Sequence, residues 1–208
     1  MAGAILFDLD RTLVDAQTYT DYDAAAAEVR ELIGEWPDLD VPATEWDAPT
    51  RECMAILVAL SGDDRWTDVS AAIERHELAT VRRSSAMPGL AHALAATAQL
   101  PRAVITLLPQ TAARAVLDRH GVNIDLLVAR QAVFRPKPSP DQLLHALVVL
   151  GVPAGDAVFI GDSSWDAEAA RAAGIRFLGV TNHGVSLFDD EVDTHPDLHA
   201  AIAVALAP

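Results

Sequence analysis

The chain has 208 residues, of which 51% are hydrophobic, so it can form one sizeable core or one core with a smaller appended domain. Its formal net charge of −15 argues against a nucleic-acid surface, because a phosphate backbone is bound by clustered Lys and Arg. The same charge repels a phosphorylated small molecule at long range, so any phosphate site must be made positive locally by a metal ion and a few placed cations.

Cysteine content and hydropathy bear on where the protein works. Cys53 is the single cysteine, which excludes an internal disulfide and offers no zinc-binding spacing. No basic region precedes the first apolar run, so the sequence shows no pattern of a signal peptide. No segment approaches the roughly 20 apolar residues that are needed to span a bilayer. We therefore expect a soluble, cytoplasmic protein.

Five short apolar runs have the composition of buried parallel strands. They are Ala4 to Phe7, Ala103 to Ile105, Leu126 to Val128, Ala157 to Ile160, and Ile175 to Val180. Helical patterns separate the later runs, so the chain reads as repeated βαβ from about Ala86 onward. This pattern predicts an α/β fold with a Rossmann-like parallel sheet and helices on both of its faces.

The segment between the first and second strands has a different pattern. Helical periodicity covers Tyr22 to Ile33, Thr50 to Leu60, and Asp68 to Arg83, and we find no strand signal there. We therefore predict a catalytic core of residues 1–15 and 86–208 with an inserted α-helical cap of residues 16–85. Such a cap would lie over the strand ends, where ligands bind in open α/β sheets.

Helix boundaries in the core are predicted from their capping residues. Ser139 to Gln142 has the pattern of a capping box with proline at the first helical position, and Gly151 lies where that helix should end. The stretches from Thr111 to Gly121 and from Asp166 to Gly174 also begin with a residue that favours helix starts and end at a glycine, so we predict a helix in each.

Asp8 and Asp10 follow the first predicted strand directly. Side chains two residues apart on a strand point the same way, so we expect the two carboxylates to share a pocket and to raise each other's pKa. A divalent cation would compensate them, and hard oxygen ligands suit Mg²⁺.

Polar residues also follow the other strands. Thr106 ends the second strand, Lys137 follows the third, and Asp162 ends the fourth with Asp166 one turn later. The ends of parallel strands meet at one edge of a sheet, which predicts a pocket suited to a metal ion and a phosphoryl group. Each residue also has a structural interpretation: Thr106 as a strand residue, Lys137 as a loop residue, and Asp166 as a helix N-cap.

The ordered set of Asp8 to Thr12, Thr106, Lys137, and Gly161 to Asp166 resembles the motifs of the haloacid dehalogenase superfamily, in its phosphatase branch with a helical cap. The resemblance implies that Asp8 attacks phosphorus and that Asp10 acts as general acid and base. It further implies that Mg²⁺ is held by Asp8, the Asp10 main-chain carbonyl, and Asp162.

The resemblance also implies roles around the phosphoryl group. Thr106, Leu107, and Lys137 would bind the phosphate, and Asp166 would orient Lys137 or a water on the metal. Leu107 departs from the polar residue that many relatives carry, so a side-chain contact there is in doubt. Arg11 replaces a frequent glycine or aspartate, and it would be strained if the turn required a positive φ.

Other candidates carry weaker signals. His195 and His199 are four residues apart but lack a third ligand nearby. Arg82 and Arg83 have the pattern of a solvated helix end. The substrate face of the cap could include several aromatic and basic side chains, although we expect most of them to be packing anchors: Tyr19, Tyr22, Trp36, Trp46, and Arg51.

The leading hypothesis is a Mg²⁺-dependent phosphatase of a small phosphorylated metabolite, acting through an aspartyl phosphate. A phosphomutase remains an alternative. A dehalogenase is disfavoured by Asp10, because a halide leaves without a proton. A phosphoryl-accepting signalling module is opposed by the motif order and by the large insertion, and a binding protein with an idle site is opposed by the intact motifs.

Overall fold

The computed structural model describes residues 2–34, 41–44, 46–182, 184, and 188–207. Its strands, in chain order, are β1 (Ala4–Phe7), β2 (Val14–Asp15), β3 (Ser85–Ala86), β4 (Arg102–Pro109), β5 (Leu126–Arg130), β6 (Ala157–Gly161), β7 (Arg176–Val180), and β8 (Thr194–His195). Six of them form a parallel sheet in the order β5-β4-β1-β6-β7-β8, while β2 and β3 form a separate antiparallel pair.

Helices cover both faces of the parallel sheet, as predicted. In chain order the described helices are α1 (Tyr22–Ile33), α2 (Ala48–Ala59), α3 (Trp66–Thr80), α4 (Leu90–Ala96), α5 (Gln110–Arg119), α6 (Asp141–Leu150), α7 (Ser164–Ala173), and α8 (Leu198–Ala205). Side chains of β1 alternate between the two cores: Ile5 and Phe7 pack with α4, α5, and α8, whereas Leu6 packs with α6 and α7. The predicted α/β Rossmann-like fold is confirmed.

The helices α1, α2, and α3 form the predicted insertion and have a hydrophobic cluster of their own, which includes Val29, Ile56, and Ile73. The β2–β3 pair joins Asp15 to Ser85 where the chain enters and leaves these helices. Trp165 of α7 belongs to the same cluster, so the insertion packs on the start of that helix. The domain boundaries at residues 15 and 86 remain a prediction.

Several elements differ from the expectations. The short strands β2, β3, and β8 and the helices α4 and α8 were not predicted. The capping box at Ser139 was wrong: α6 has Pro140 as its N-cap without a side-chain cap bond, and Gln142 donates instead to the carbonyls of Thr106 and Val128 at 3.1 Å each. Gly151 ends α6 in the left-handed conformation, as expected. None of the described helices is long and apolar enough to cross a membrane.

Candidate active site

The parallel sheet brings the predicted polar residues to one edge. Asp8 follows β1, Asp162 follows β6, and Asp166 lies in the first turn of α7. Thr106 lies within β4, because this strand continues to Pro109 after an irregularity in its pairing with β5 beyond Ile105. With Lys137, these residues line one cavity that the insertion covers.

Lys137 is the central cation of this cavity and is 2% exposed. Its Nζ donates to Asp8 Oδ1 at 2.6 Å, to Asp166 Oδ1 at 2.5 Å, and to the Ile105 carbonyl at 3.3 Å. Burial alone would lower the pKa of Lys137, but the charges of Asp166 and Asp8 outweigh it and raise the pKa above its ordinary value. Lys137 therefore remains charged at neutral pH and is fixed in direction by three acceptors.

The structural interpretation of Asp166 as a helix N-cap was wrong, because Ser163 is the N-cap of α7 and Asp166 lies at its third helical position. Its Oδ2 accepts from the Ser163 backbone N–H at 3.1 Å and from Ser163 Oγ at 2.6 Å, which makes a capping box at the start of α7. Its Oδ1 accepts from Lys137. A Cβ at Gly161 would lie 2.8 Å from the Asp166 side chain, so glycine is required for β6 to end this close to the helix.

The two opening aspartates occupy different environments. Burial raises the pKa of Asp8 to about 7, partly opposed by Lys137, and the charge of Asp10 is only a small contribution. Burial raises the pKa of Asp10 to about 6, against the backbone N–H groups of Ala16 and Gln17, which donate to its Oδ1 at 2.9 and 3.1 Å. The charge of Asp10 therefore raises the pKa of Asp8 as expected, but burial is the larger cause for each carboxylate.

The carboxylates of Asp8, Asp162, and Asp166 could hold a metal ion, because each offers an oxygen within 4.8 Å of the others. Burial and the charge of Asp8 raise the pKa of Asp162 well above its ordinary value, so a cation would relieve an unfavourable set of charges. Lys137 and Ser163 already take up both oxygens of Asp166. A hard divalent cation fits the remaining oxygens of Asp8 and Asp162.

Arg11 occupies the left-handed region with φ of 58°, so the strain expected for a side chain at this turn is present. Its Nε lies 3.6 Å from Asp162 Oδ2, and its carbonyl accepts from Asn182 Nδ2 at 2.8 Å. Arg11 is thus an additional cation at the edge of the cluster of carboxylates formed by Asp8, Asp162, and Asp166.

The insertion supplies the opposite wall of the cavity. Leu107 lines the cavity from β4, and the wall toward the helices is formed by Gln17, Tyr22, Trp46, Thr50, Met54, and Glu77. Tyr22 and Trp46 were expected there, whereas Gln17, Thr50, Met54, and Glu77 were missed. A helical pattern alone does not show which face of the insertion turns toward the sheet edge.

The remaining candidates lie elsewhere. Tyr19 and Arg51 are outside the cavity lining, and Trp36 lies outside the described residues. Arg82 is exposed, and the guanidinium of Arg83 stands 5.2 Å above the ring of Tyr19.

The two histidines form no metal site. His199 packs against the ring of His92, and Nε2 of His195 lies 3.2 Å from a carboxylate oxygen of Asp193. Neither histidine belongs to a group of potential metal ligands among the described residues.

Comparison with known proteins agrees with this arrangement. The family model of haloacid dehalogenase-like hydrolases matches residues 2–174. The chain is 34% identical over 187 residues to the plasmid-encoded phosphoglycolate phosphatase of Cupriavidus necator, covering 83% of this chain and 78% of the relative. It is 31% identical over 210 residues to the phosphoglycolate phosphatase of Neisseria meningitidis, covering 93% and 87%.

Solved structures show the same fold. A hydrolase from Pseudomonas syringae superposes with a TM-score of 0.72 at 22% identity, covering 97% of this chain and 96% of that one. CbbY from Rhodobacter sphaeroides, determined in complex with phosphate, gives a TM-score of 0.70 at 23% identity, covering 96% of each chain. The chain is therefore an enzyme of the haloacid dehalogenase-like hydrolase family, and its curated relatives include phosphatases.

Proposed function

We propose that the protein is a Mg²⁺-dependent phosphatase that hydrolyses a small phosphorylated metabolite through an aspartyl phosphate on Asp8. The observation that carries this proposal is the separation of the two carboxylates: Asp8 faces Lys137 and Asp162, whereas Asp10 is held apart by two backbone N–H groups. This separation supports a nucleophilic role for Asp8 and a proton-transfer role for Asp10.

In the first step an oxygen of Asp8 attacks phosphorus, and the bond from phosphorus to the ester oxygen breaks as the acyl phosphate forms. Asp10 gives its proton to the departing alkoxide oxygen, for which a pKa raised to about 6 is favourable. In the second step Asp10 takes a proton from a water molecule that attacks the acyl phosphate. Inorganic phosphate leaves, and the Asp8 carboxylate is regenerated.

The binding of the phosphoryl group falls to neighbouring residues. Lys137 supplies a fixed positive charge beside Asp8, and Thr106 and Leu107 at the edge of β4 border the same cavity. Asp166 positions Lys137 and, with both oxygens engaged, is better suited to that role than to metal binding. Asp8, the Asp10 carbonyl, and Asp162 would hold Mg²⁺, which supplies charge neutralisation for the phosphoryl oxygens.

The relatives favour a small ester as the substrate, because the chain is similar to phosphoglycolate phosphatases. The test is phosphate release from a panel of metabolite esters, with and without Mg²⁺, by the native protein and by Asp8→Asn. We expect Mg²⁺-dependent release that Asp8→Asn abolishes, with Asp118→Asn as a control at an exposed helical position.

Three outcomes would count against the assignment. Failure to hydrolyse any ester would contradict the phosphatase activity. Equal turnover by Asp8→Asn would contradict the assignment of Asp8 as the nucleophile. Transfer of the phosphoryl group back to a substrate hydroxyl, without net phosphate release, would favour the mutase instead.

A further inference from the structure

We propose that the leaving group of the substrate is a small neutral alcohol with a second hydroxyl, recognised by Thr50, rather than a carboxylate-bearing alcohol such as glycolate. This inference rests on the proposed phosphatase activity and specifies its substrate class. It follows from the charge, the size, and the unsatisfied hydrogen bonding of the wall that the insertion presents to Asp8.

Among the described residues, the wall toward the helices carries no Lys or Arg that could pair with an anionic leaving group. Lys137 is the one Lys or Arg among the described residues that line the cavity, and it is engaged by Asp8 and Asp166. The undescribed residues of the insertion, 35–40 and 45, include no Lys or Arg in their sequence. A carboxylate on the leaving group would therefore be buried beside Glu77 and Asp10 without a counter-ion, which is unfavourable.

Arg130, the ion-pair partner of Glu77, has all of its donors engaged. Arg130 donates to both oxygens of Glu77 at 2.9 Å, to the Leu107 carbonyl at 2.8 Å, and to Ser70 Oγ and the Ser70 carbonyl at 3.1 and 3.2 Å. These five bonds use the five N–H donors of a guanidinium. Arg130 has no donor left for a substrate carboxylate.

Thr50 contributes a buried hydroxyl to this wall that has no hydrogen-bond partner among the described residues. It is 3% exposed, lines the cavity, and its Oγ1 has no hydrogen bond among the described residues. Buried hydroxyl groups in folded proteins normally have a hydrogen-bond partner, so we expect a polar atom of the substrate to bind the Thr50 hydroxyl. A hydroxyl group can both donate to and accept from Oγ1, and it carries no charge into the cavity.

The size of the cavity limits the leaving group further. Its empty volume, part of which is open to solvent, is about 420 Å³, and Trp46 and Met54 form part of its wall. This volume is at the lower end of the roughly 300–1,000 Å³ of ligand sites, and the phosphoryl group and the metal ion would share it with the leaving group. A small alcohol therefore fits this space better than a nucleoside.

The test compares three esters that differ only at one end: 2-hydroxyethyl phosphate, ethyl phosphate, and 2-phosphoglycolate. With Mg²⁺ present, we expect the kcat/KM for 2-hydroxyethyl phosphate to exceed both others at least tenfold. Equal or faster turnover of 2-phosphoglycolate would overturn the inference and leave the phosphatase assignment intact. Turnover of other esters but not of 2-hydroxyethyl phosphate would also overturn it, whereas no turnover of any ester defeats the proposed function itself.

Two substitutions at Thr50 test the contact directly. Thr50→Val keeps the shape and removes the hydroxyl, so we expect the ratio of kcat/KM between 2-hydroxyethyl and ethyl phosphate to fall towards one, mainly through KM, while Thr50→Ser retains it. Thr50→Lys adds a cation and should shift the preference towards 2-phosphoglycolate. Thermal melting of each variant verifies folding, and an unchanged ratio in folded Thr50→Val would contradict the role of Thr50.

Discussion

At the scale of single residues, Arg11 shows a local conflict that the fold tolerates. A residue with a side chain in the left-handed region carries a cost of about 1–2 kcal/mol, which glycine avoids. Arg11 has this unfavourable conformation, with φ of 58°. Its side chain lies near Asp162, and its carbonyl accepts a hydrogen bond from Asn182. The ion pair is partly exposed, so its contribution to stability is small.

This strain predicts an unusual order of stability for two variants that both remove the side chain. We expect Arg11→Gly to be more stable than Arg11→Ala by about 1 kcal/mol, because only alanine retains the left-handed penalty. Chemical denaturation measures the difference in the free energy of unfolding. As a control, Ala27 lies inside α1, where Ala27→Gly should destabilise by about 1 kcal/mol. Arg11→Ala proving the more stable of the pair would show that the turn relaxes.

At the scale of secondary-structure elements, a buried ion pair joins the insertion to the sheet. Arg130 at the end of β5 and Glu77 of α3 are 0% and 1% exposed in their side chains, and Tyr22 of α1 donates to Glu77 at 3.3 Å. Burial raises the pKa of Glu77, while Arg130 favours its charged form. Because Arg130 also binds the Leu107 carbonyl, the pair connects α3 with the strand that carries Thr106.

Removing one member of this pair should be costly. We expect Arg130→Met to destabilise the protein by about 3–5 kcal/mol, because it leaves Glu77 buried without its counter-charge. The double variant Arg130→Met with Glu77→Leu should recover most of this loss, since neither charge then remains buried. Denaturant unfolding of the single and double variants measures both effects. Additive losses in the double variant would mean that the two residues do not act as a pair.

A second link between insertion and sheet involves α7. Nε1 of Trp165 donates to the Pro42 carbonyl at 2.9 Å, and the ring of Trp165 lies 5.0 Å from that of Trp46. The helix that carries Asp166 thus contacts the wall that carries Trp46. The Arg130–Glu77 pair and the Trp165 contacts therefore both connect the insertion to the sheet domain through buried side chains.

At the scale of the whole molecule, the net charge of −15 opposes the approach of a phosphate ester. Attraction is confined to the site, where Lys137 lies and where the proposed metal ion would bind. Long-range repulsion is screened as the Debye length falls from about 30 Å at 0.01 M to about 8 Å at 0.15 M ionic strength.

We therefore expect kcat/KM for a phosphate ester to rise when KCl is raised from 10 to about 150 mM at constant free Mg²⁺. The rise should come from faster association, so kcat, which reports the bound complex, should change little. Steady-state kinetics at several ionic strengths measures both parameters. A fall in kcat/KM would show that the local positive charge outweighs the acidic surface.

Much of the sheet could be predicted from the sequence, because continuous apolar runs such as Ala157 to Ile160 are recognisable without any partner. The strands β2, β3, and β8 have two residues each, too few to show a period. The capping box predicted at Ser139 failed because Gln142 bonds to two strand carbonyls instead. A tertiary contact there overrode the local pattern.

The sequence by itself determined the five apolar strands of the parallel sheet, the order of the motif residues, and the residue types at the sheet edge. These depend on short runs of neighbouring residues and on the rule that parallel strands end at one edge. Only the tertiary structure decided that Asp10 accepts from Ala16 and Gln17, that Arg130 pairs with Glu77, and that Thr50 lines the cavity with a hydroxyl that has no hydrogen-bond partner among the described residues. These contacts depend on the course of a turn, on residues far apart in the chain, or on which face of a helix is turned inward, and none of these is encoded in local periodicity.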